Sequence, residues 1–305
     1  MRITRSATGA GTDKAMETRW LHVTSENFAA LREASEGVCV IPIGAVEKHG
    51  LHLPLGTDAF ISESVVFEAS KLEPFCVFPT FTVGDMYGKY PSMPDGTVTL
   101  SVETEIMLLD ELCAQISRNG FKKILIFNGH GGNCPWLNTF LRRLGNKKHD
   151  YVAATYFTWE CAPHGLAKYL EEHGAGSIPE LTPDDERYLL ECRRNKMLVG
   201  HACMGESAPI LAIYPEDVHF ERFGVEDGHS THAADRLNKA GITVMDGGWG
   251  YDYPNFYCAD DHPDCTETIG KAARRFQAER FANAVRVFKE DNLLTDNLER
   301  INKDW

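Results

Sequence analysis

Four short runs in which almost every residue is apolar constrain this chain more than any other feature: residues 38–43 (VCVIPI), 75–83 (FCVFPTFTV), 124–127 (ILIF) and 151–157 (YVAATYF). A strand with one wet face alternates apolar with polar residues. Continuous runs of this length suit strands covered on both faces. Between them the spacing turns helical. Thr57 or Asp58 can cap a segment carrying Ile61, Val65 and Val66. Ser101 can cap a second, with Glu103 and Glu105 in its first turn, Leu108, Leu109, Leu112 and Ile116 as its apolar stripe, and Gly120 at its end. Pro135 opens a third at a position where proline is tolerated. This alternation predicts the α/β class: a three-layer α/β/α sandwich around a mainly parallel sheet.

Residues 1–18 are polar and read as a loose arm, 19–291 as a single domain, and 292–305 as a tail. Within the domain, 164–200 reads as a helical insertion, 240–260 as Gly-, Tyr- and Asp-rich loop, and about 266–289 as an amphipathic helix. With 305 residues, 43% hydrophobic and 25% charged, the chain is long enough for one large core. Its formal charge of -13 argues against nucleic acid or an anionic membrane as partner. Nine cysteines without a CxxC pair fit a reducing compartment. Residues 1–14 lack the apolar core of a secretory signal. No apolar run approaches the roughly 20 residues that span a bilayer. The expectation is a cytoplasmic protein acting on a small molecule.

Three clusters carry chemistry. In residues 41–58 (IPIGAVEKHGLHLPLGTD) a buried strand runs into Glu47-Lys48-His49, whose first and third side chains project to the same side of an extended chain. His52 and Asp58 follow across a loop containing glycine and proline. Carboxylate oxygen with imidazole nitrogen suits zinc, manganese or iron(II), whereas calcium and magnesium want oxygen alone. The same residues could also simply hydrogen-bond within a loop. The second cluster, residues 128–133 (NGHGGN), follows the run ILIF at the strand end where open α/β sheets gather ligands. Its glycines leave His130 exposed to a site, or else form a plain strand-to-helix turn. In the third, residues 201–207 (HACMGES), His201 and Glu206 converge only if the histidine precedes a helix and the glutamate lies near its start.

Taken together the three blocks resemble the creatininase family. GAVEKHGLHLPLGTD is similar to its Glu-x-His-Gly-x-His-Leu-Pro-Leu signature followed by Thr-Asp. NGHGGN matches its second block and HACMGES its third, usually His-Ala-Gly-x-x-Glu-Thr-Ser; the likeness covers roughly residues 20–290. The resemblance implies an α/β/α sandwich with a site for one or two divalent ions (zinc, manganese or iron), assembled as a homo-oligomer, often a hexamer. It makes Glu47 and His130 ligands of one ion, His49 a ligand of the other, and Asp58 the bridging carboxylate. His201 matches the proton-handling histidine and Glu206 its acidic companion. Trp159, with Asn133 and Tyr87, is expected at the substrate pocket.

The chain also departs from the pattern. Gly132 stands where creatininase proper has a second-block glutamate, so the second ion loses a ligand unless Glu206 or water replaces it. Cys203, Ser207 and Ala208 replace the usual Gly, Thr and Ser. The loop GDMYGKYPSMPDGTVTL lacks a histidine before its Gly-Thr, which argues against creatinine itself. The expected activity is metal-dependent hydrolysis of a C–N bond in a small, cyclic amide. The alternatives are cleavage of a cyclic keto compound or lactone at the same centre, or ligand binding without catalysis.

Overall fold

The computed structural model describes residues 16–86, 93–157, 162–197, 200–244, 248–260 and 265–303. Four strands form one parallel sheet: β1 (Val38–Ile43), β2 (Cys76–Val77), β3 (Lys123–Asn128) and β4 (Val152–Tyr156), in the order β2-β1-β3-β4. The described helices are α1 (Phe28–Ala34), α2 (Thr57–Leu72), α3 (Val102–Arg118), α4 (Asn133–Leu144), α5 (Ala162–His173), α6 (Pro183–Arg194), α7 (Met204–Ile213), α8 (Asp235–Lys239), α9 (Trp249–Asp252), α10 (Glu267–Glu290) and α11 (Leu293–Lys303).

Alternation along the strands sorts side chains into two cores. Cys39, Ile41 and Ile43 of β1 with Ile124 and Ile126 of β3 face α1, α3 and α4, packing on Leu31, Leu109, Ile116, Trp136 and Phe140. Val38, Val40, Leu125 and Phe127 face the opposite way, onto Val65 and Val66 of α2 and Phe281 and Val285 of α10. Both faces of the sheet are therefore covered, and the three-layer sandwich stands. A third core joins α5, α6, α7 and the start of α10 through Leu166, Leu170, Leu189, Met204 and Ile269. The segment read as an insertion is thus two helices packed against the domain.

Several local expectations need correction. The run 75–83 is strand only over Cys76–Val77, with one further bridge from Ile43 to Phe81, because Pro79 has no N–H for the ladder. Neither Thr57 nor Asp58 caps α2. Its N-cap is Gly56, the Thr57 hydroxyl donates to the Pro54 carbonyl, and the Asp58 carboxylate turns to histidines. Ser101 does cap α3, accepting from the Thr104 N–H, and Gly120 follows its end at φ +96°. Glu105, in the first turn of α3 as expected, is fully buried. Part of the loop read over 240–260 is α9. Thr18, the last residue of the segment read as an arm, is buried and hydrogen-bonded to Ser70, while residues 1–15 lie outside the described residues. The segment read as a tail carries α11, tied back by Asn302 to the His149 carbonyl. Among the described residues no helix is long and apolar enough to cross a membrane.

The chain leaves β1 for β2 on one side and then crosses to β3 on the other. The carboxyl ends of β1 and β3, with Ile43 beside Asn128, therefore mark the switch point where such sheets open a crevice.

Candidate metal centre

Four segments converge on that crevice. The loop after β1 brings Glu47 and His49, and the first turn of α2 brings Asp58, where a carboxylate also meets the positive end of the helix. The turn after β3 brings His130. His201 and Glu206 come from just before and just inside α7, the arrangement under which the two can converge. The loop after β1 is held by its backbone. Glu47 donates its N–H to the Leu55 carbonyl, Lys48 to the Thr97 hydroxyl oxygen, and Gly50 to the Phe256 carbonyl.

Each of the three histidines spends one ring nitrogen on a backbone carbonyl. His49 Nδ1 lies 3.1 Å from the Glu47 oxygen, His130 Nε2 3.1 Å from that of Asp85, and His201 Nε2 2.8 Å from that of Lys48. A carbonyl only accepts, so each of these nitrogens carries a hydrogen, and the other nitrogen of each ring points inward. All three inward nitrogens face carboxylates, and that of His49 hydrogen-bonds Asp58 Oδ1. His130 Nδ1 is 3.1 Å from Glu47 Oε1 and 2.9 Å from Asp58 Oδ2. His49 Nε2 is 3.3 Å from Asp58 Oδ1 and 3.7 Å from Glu206 Oε2. His201 Nδ1 is 3.5 Å from Glu47 Oε1.

The donor atoms fall into three overlapping groups, each with its atoms within 4.8 Å of one another: Glu47–Asp58–His130, His49–Asp58–Glu206 and Glu47–His49–His201. Asp58 belongs to two groups through different oxygens. Glu47 Oε1 and Asp58 Oδ2 are buried and accept no aligned hydrogen bond although His130 Nδ1 is near both. Lone pairs that converge without pairing are what a cation needs. Among the described residues no lysine or arginine pairs with these carboxylates. Buried carboxylates of this kind call for positive charge from elsewhere, and a divalent ion fits the donor set.

The electrostatics follow. Burial works against charge on Glu47 and Asp58, but the histidines outweigh it and hold both below the usual carboxylate range. Burial likewise opposes charge on His49, yet Asp58 and Glu206 lift it to about 10. His201 goes the other way: burial, with the charge of His49 adding to it, lowers it to about 4 despite Glu47. Burial raises Glu206 to about 7, opposed by His49 and assisted by Asp58.

Of the pocket residues expected from sequence, Trp159 and Tyr87 lie outside the described residues. Asn133 is fully buried. Its oxygen accepts from the Asp85 N–H and Trp136 Nε1, and its amide nitrogen donates to the Gly44 carbonyl and Asn128 Oδ1. Nothing of that amide remains for a substrate. Gly132 is closed as well, since a Cβ there would lie 2.4 Å from both the Asp85 carbonyl oxygen and His130 Nε2. No glutamate fits at that position. The residues that sequence reasoning missed act through their backbones, Lys48 and Asp85 among them, and a carbonyl leaves no trace in residue type. Trp249, edge-on to the His201 ring at 5.3 Å, was also missed.

The family model described as creatinine amidohydrolase matches residues 21–286. The chain belongs to the creatininase family. Members of that family are metal-dependent amidohydrolases, and the named relatives are hydrolases. The mycofactocin precursor peptide peptidase of Mycolicibacterium smegmatis is 27% identical over 190 residues, 58% of this chain and 66% of that protein. The creatinine amidohydrolase of Pseudomonas putida is 24% identical over 211 residues, 66% of this chain and 73% of that protein. The 3-dehydro-scyllo-inosose hydrolase of Thermotoga maritima is 34% identical over 96 residues, 30% of this chain and 29% of that protein. The matched stretch thus spans about two thirds or less of the first and third of these relatives. A crystal structure of creatininase superposes with a TM-score of 0.66 at 18% identity, covering 90% of this chain and 98% of that one, a likeness of fold. Other creatininase structures are described as a manganese form and as a Zn-Zn type.

Proposed function

We propose that this creatininase-family hydrolase cleaves a C–N bond in a small amide, and that its six clustered side chains divide between holding ions and moving a proton. Glu47, Asp58 and His130 hold one divalent ion. His49, Asp58 and Glu206 hold a second, with Asp58 bridging, so Glu206 supplies the ligand that Gly132 has no room to carry. The observation that carries this reading is the set of three histidines whose outer N–H groups are tied to carbonyls while their inner nitrogens converge on buried carboxylates, of which Glu47 Oε1 and Asp58 Oδ2 accept no hydrogen bond. Such outer partners fix tautomer and ring orientation in metal sites. The mixed imidazole and carboxylate set suits zinc, manganese or iron.

When bound, such ions supply an acidified water and polarise the scissile carbonyl. His201, neutral at physiological pH, accepts a proton at Nδ1 and hands it to the leaving nitrogen, its ring held in place from behind by the Lys48 carbonyl. The rings of His49 and His201 lie 4.2 Å apart, which keeps that nitrogen beside the ion-binding groups. A small cyclic amide is the substrate class we favour. A second reading, a cyclic keto compound or lactone, draws support from the relative named 3-dehydro-scyllo-inosose hydrolase. Assembly as a homo-oligomer, a hexamer included, is a further proposal open to sedimentation analysis.

Elemental analysis of the purified protein, followed by a screen of cyclic amides, formamides, short peptides, lactones and diketones, tests the function. The expected result is one or two zinc, manganese or iron ions per chain and turnover of an amide. Absence of all of these metals and of cobalt, with no activation on adding them, overturns the reading. Glu206→Gln is expected to lose one ion; full metal content in that variant removes Glu206 from the ligand set.

A further inference from the structure

His52 belongs to the first block yet is absent from the three ion-binding groups. It is fully buried, stacked on Phe223 with ring centroids 4.1 Å apart, and meets Tyr257 edge-on at 5.5 Å. Its Nε2 lies 3.0 Å from the carbonyl oxygen of Ala202, so that nitrogen carries a hydrogen and donates it. Ser207 Oγ lies 3.3 Å from the same nitrogen.

Ala202 sits between the two functional residues of the third block. Its φ is +57°, in the left-handed region that a residue with a Cβ adopts only under constraint. Its N–H donates to Glu206 Oε2 at 2.6 Å, the oxygen that faces His49. The residue before it is His201, and the following Cys203 caps α7. One strained peptide therefore aims both the His201 ring and the Glu206 carboxylate. Its carbonyl is gripped by His52, and relaxing φ would turn the N–H away from Glu206.

We propose that His52 is a positioning residue: its Nε2–H holds Ala202 in the left-handed conformation and thereby sets His201 and Glu206 against the ion-binding side chains. This rests on the proposed roles of His201 and Glu206, and the test keeps the two claims apart. His52→Phe keeps ring packing and removes the donor. His52→Gln returns an N–H at nearly the same place. In the full chain, amide hydrogen exchange at Ala202 reports the conformation directly, and calorimetric titration with zinc reports Glu206.

The expected result is faster exchange at Ala202 in His52→Phe, with a second zinc bound about 10–100-fold more weakly, the usual cost of losing an outer partner. Both should return toward wild type in His52→Gln. The double variant His52→Phe/Ala202→Gly should also recover zinc binding, because glycine adopts positive φ freely. It keeps the test alive if His52→Phe alone folds poorly. Unchanged exchange at Ala202 in His52→Phe overturns the positioning role. So does a loss that neither His52→Gln nor the double variant repairs, since that marks His52 as core packing alone. Faster exchange with wild-type zinc binding upholds the positioning and overturns Glu206 as a ligand instead.

Discussion

Asp58 divides its two oxygens between His49 and His130, and this division predicts how metal is lost. Asp58→Ala should lose more metal than either His49→Ala or His130→Ala, because a bridging carboxylate serves both ions. Stoichiometry by elemental analysis checks it, and full metal content in the aspartate variant removes the bridge. His201→Ala should keep its metal and its melting temperature while turnover falls roughly 10²–10⁴-fold, the range for a general acid–base. A drop within about threefold of wild type ends that role. Glu105 makes a stability prediction of opposite sign. Burial, with the Asp85 charge adding to it, lifts its carboxyl to about 8, and among the described residues neither oxygen has a hydrogen-bond partner. The folded chain therefore holds this proton more tightly than the unfolded one. The stability it lends is complete below the ordinary carboxyl pKa of 4.5, declines as pH climbs, and is gone above about 8. Glu105→Leu should thus gain on wild type between pH 5 and pH 8, by about 1–3 kcal/mol at the upper end. Urea midpoints of both proteins at the two pH values check this. At this scale the residue types gathered in the candidate metal centre were legible from spacing and resemblance. Glu105 was not, because first-turn acids normally face water and only tertiary packing buries this one.

The ends of two helices show what individual elements contribute. The Ser101 side chain accepts from Thr104 N–H at 3.3 Å at the exposed start of α3. Ser101→Ala should cost about 1 kcal/mol of unfolding free energy by denaturant titration, the usual value of such a cap. At the far end of α10, Lys123 donates to the carbonyls of Phe288 at 3.2 Å and Asp291 at 3.0 Å and to that of Lys289. It joins β3 to three carbonyls at the end of α10, two of them from its last residues. Lys123→Met should destabilise by about 1–2 kcal/mol, read the same way. The first contact was visible in the sequence because a cap is local. The second spans more than 160 positions and leaves no local signal. Short strands suffered similarly: an apolar run announced residues 75–83, but Pro79 and the partner strand decide where the ladder runs.

For the molecule as a whole, the alternation of apolar runs with helical spacing was enough to foresee a covered parallel sheet. Strand order was not, since the apolar pattern of each strand is compatible with several neighbours. That order puts the ends of β1 and β3 side by side, so the proposed ligands meet only in the folded chain. An ion that binds the folded state alone stabilises it by mass action, about 2.7 kcal/mol when present at 100 times its dissociation constant. Stripping the protein with a chelator should therefore lower the melting temperature, and adding zinc back should raise it with concentration. A melting temperature indifferent to both contradicts a folded-state ion site.

The carbonyls that fix the three histidine tautomers carry a consequence of their own. A backbone acceptor is present whatever residue occupies its position, so no single side-chain replacement at Glu47, Lys48 or Asp85 deletes it. The readiness of the ring nitrogens is stored in the path of the main chain. Residues around the centre are free to drift, and to reshape what enters it, while the basicity of its core stays under the control of the fold.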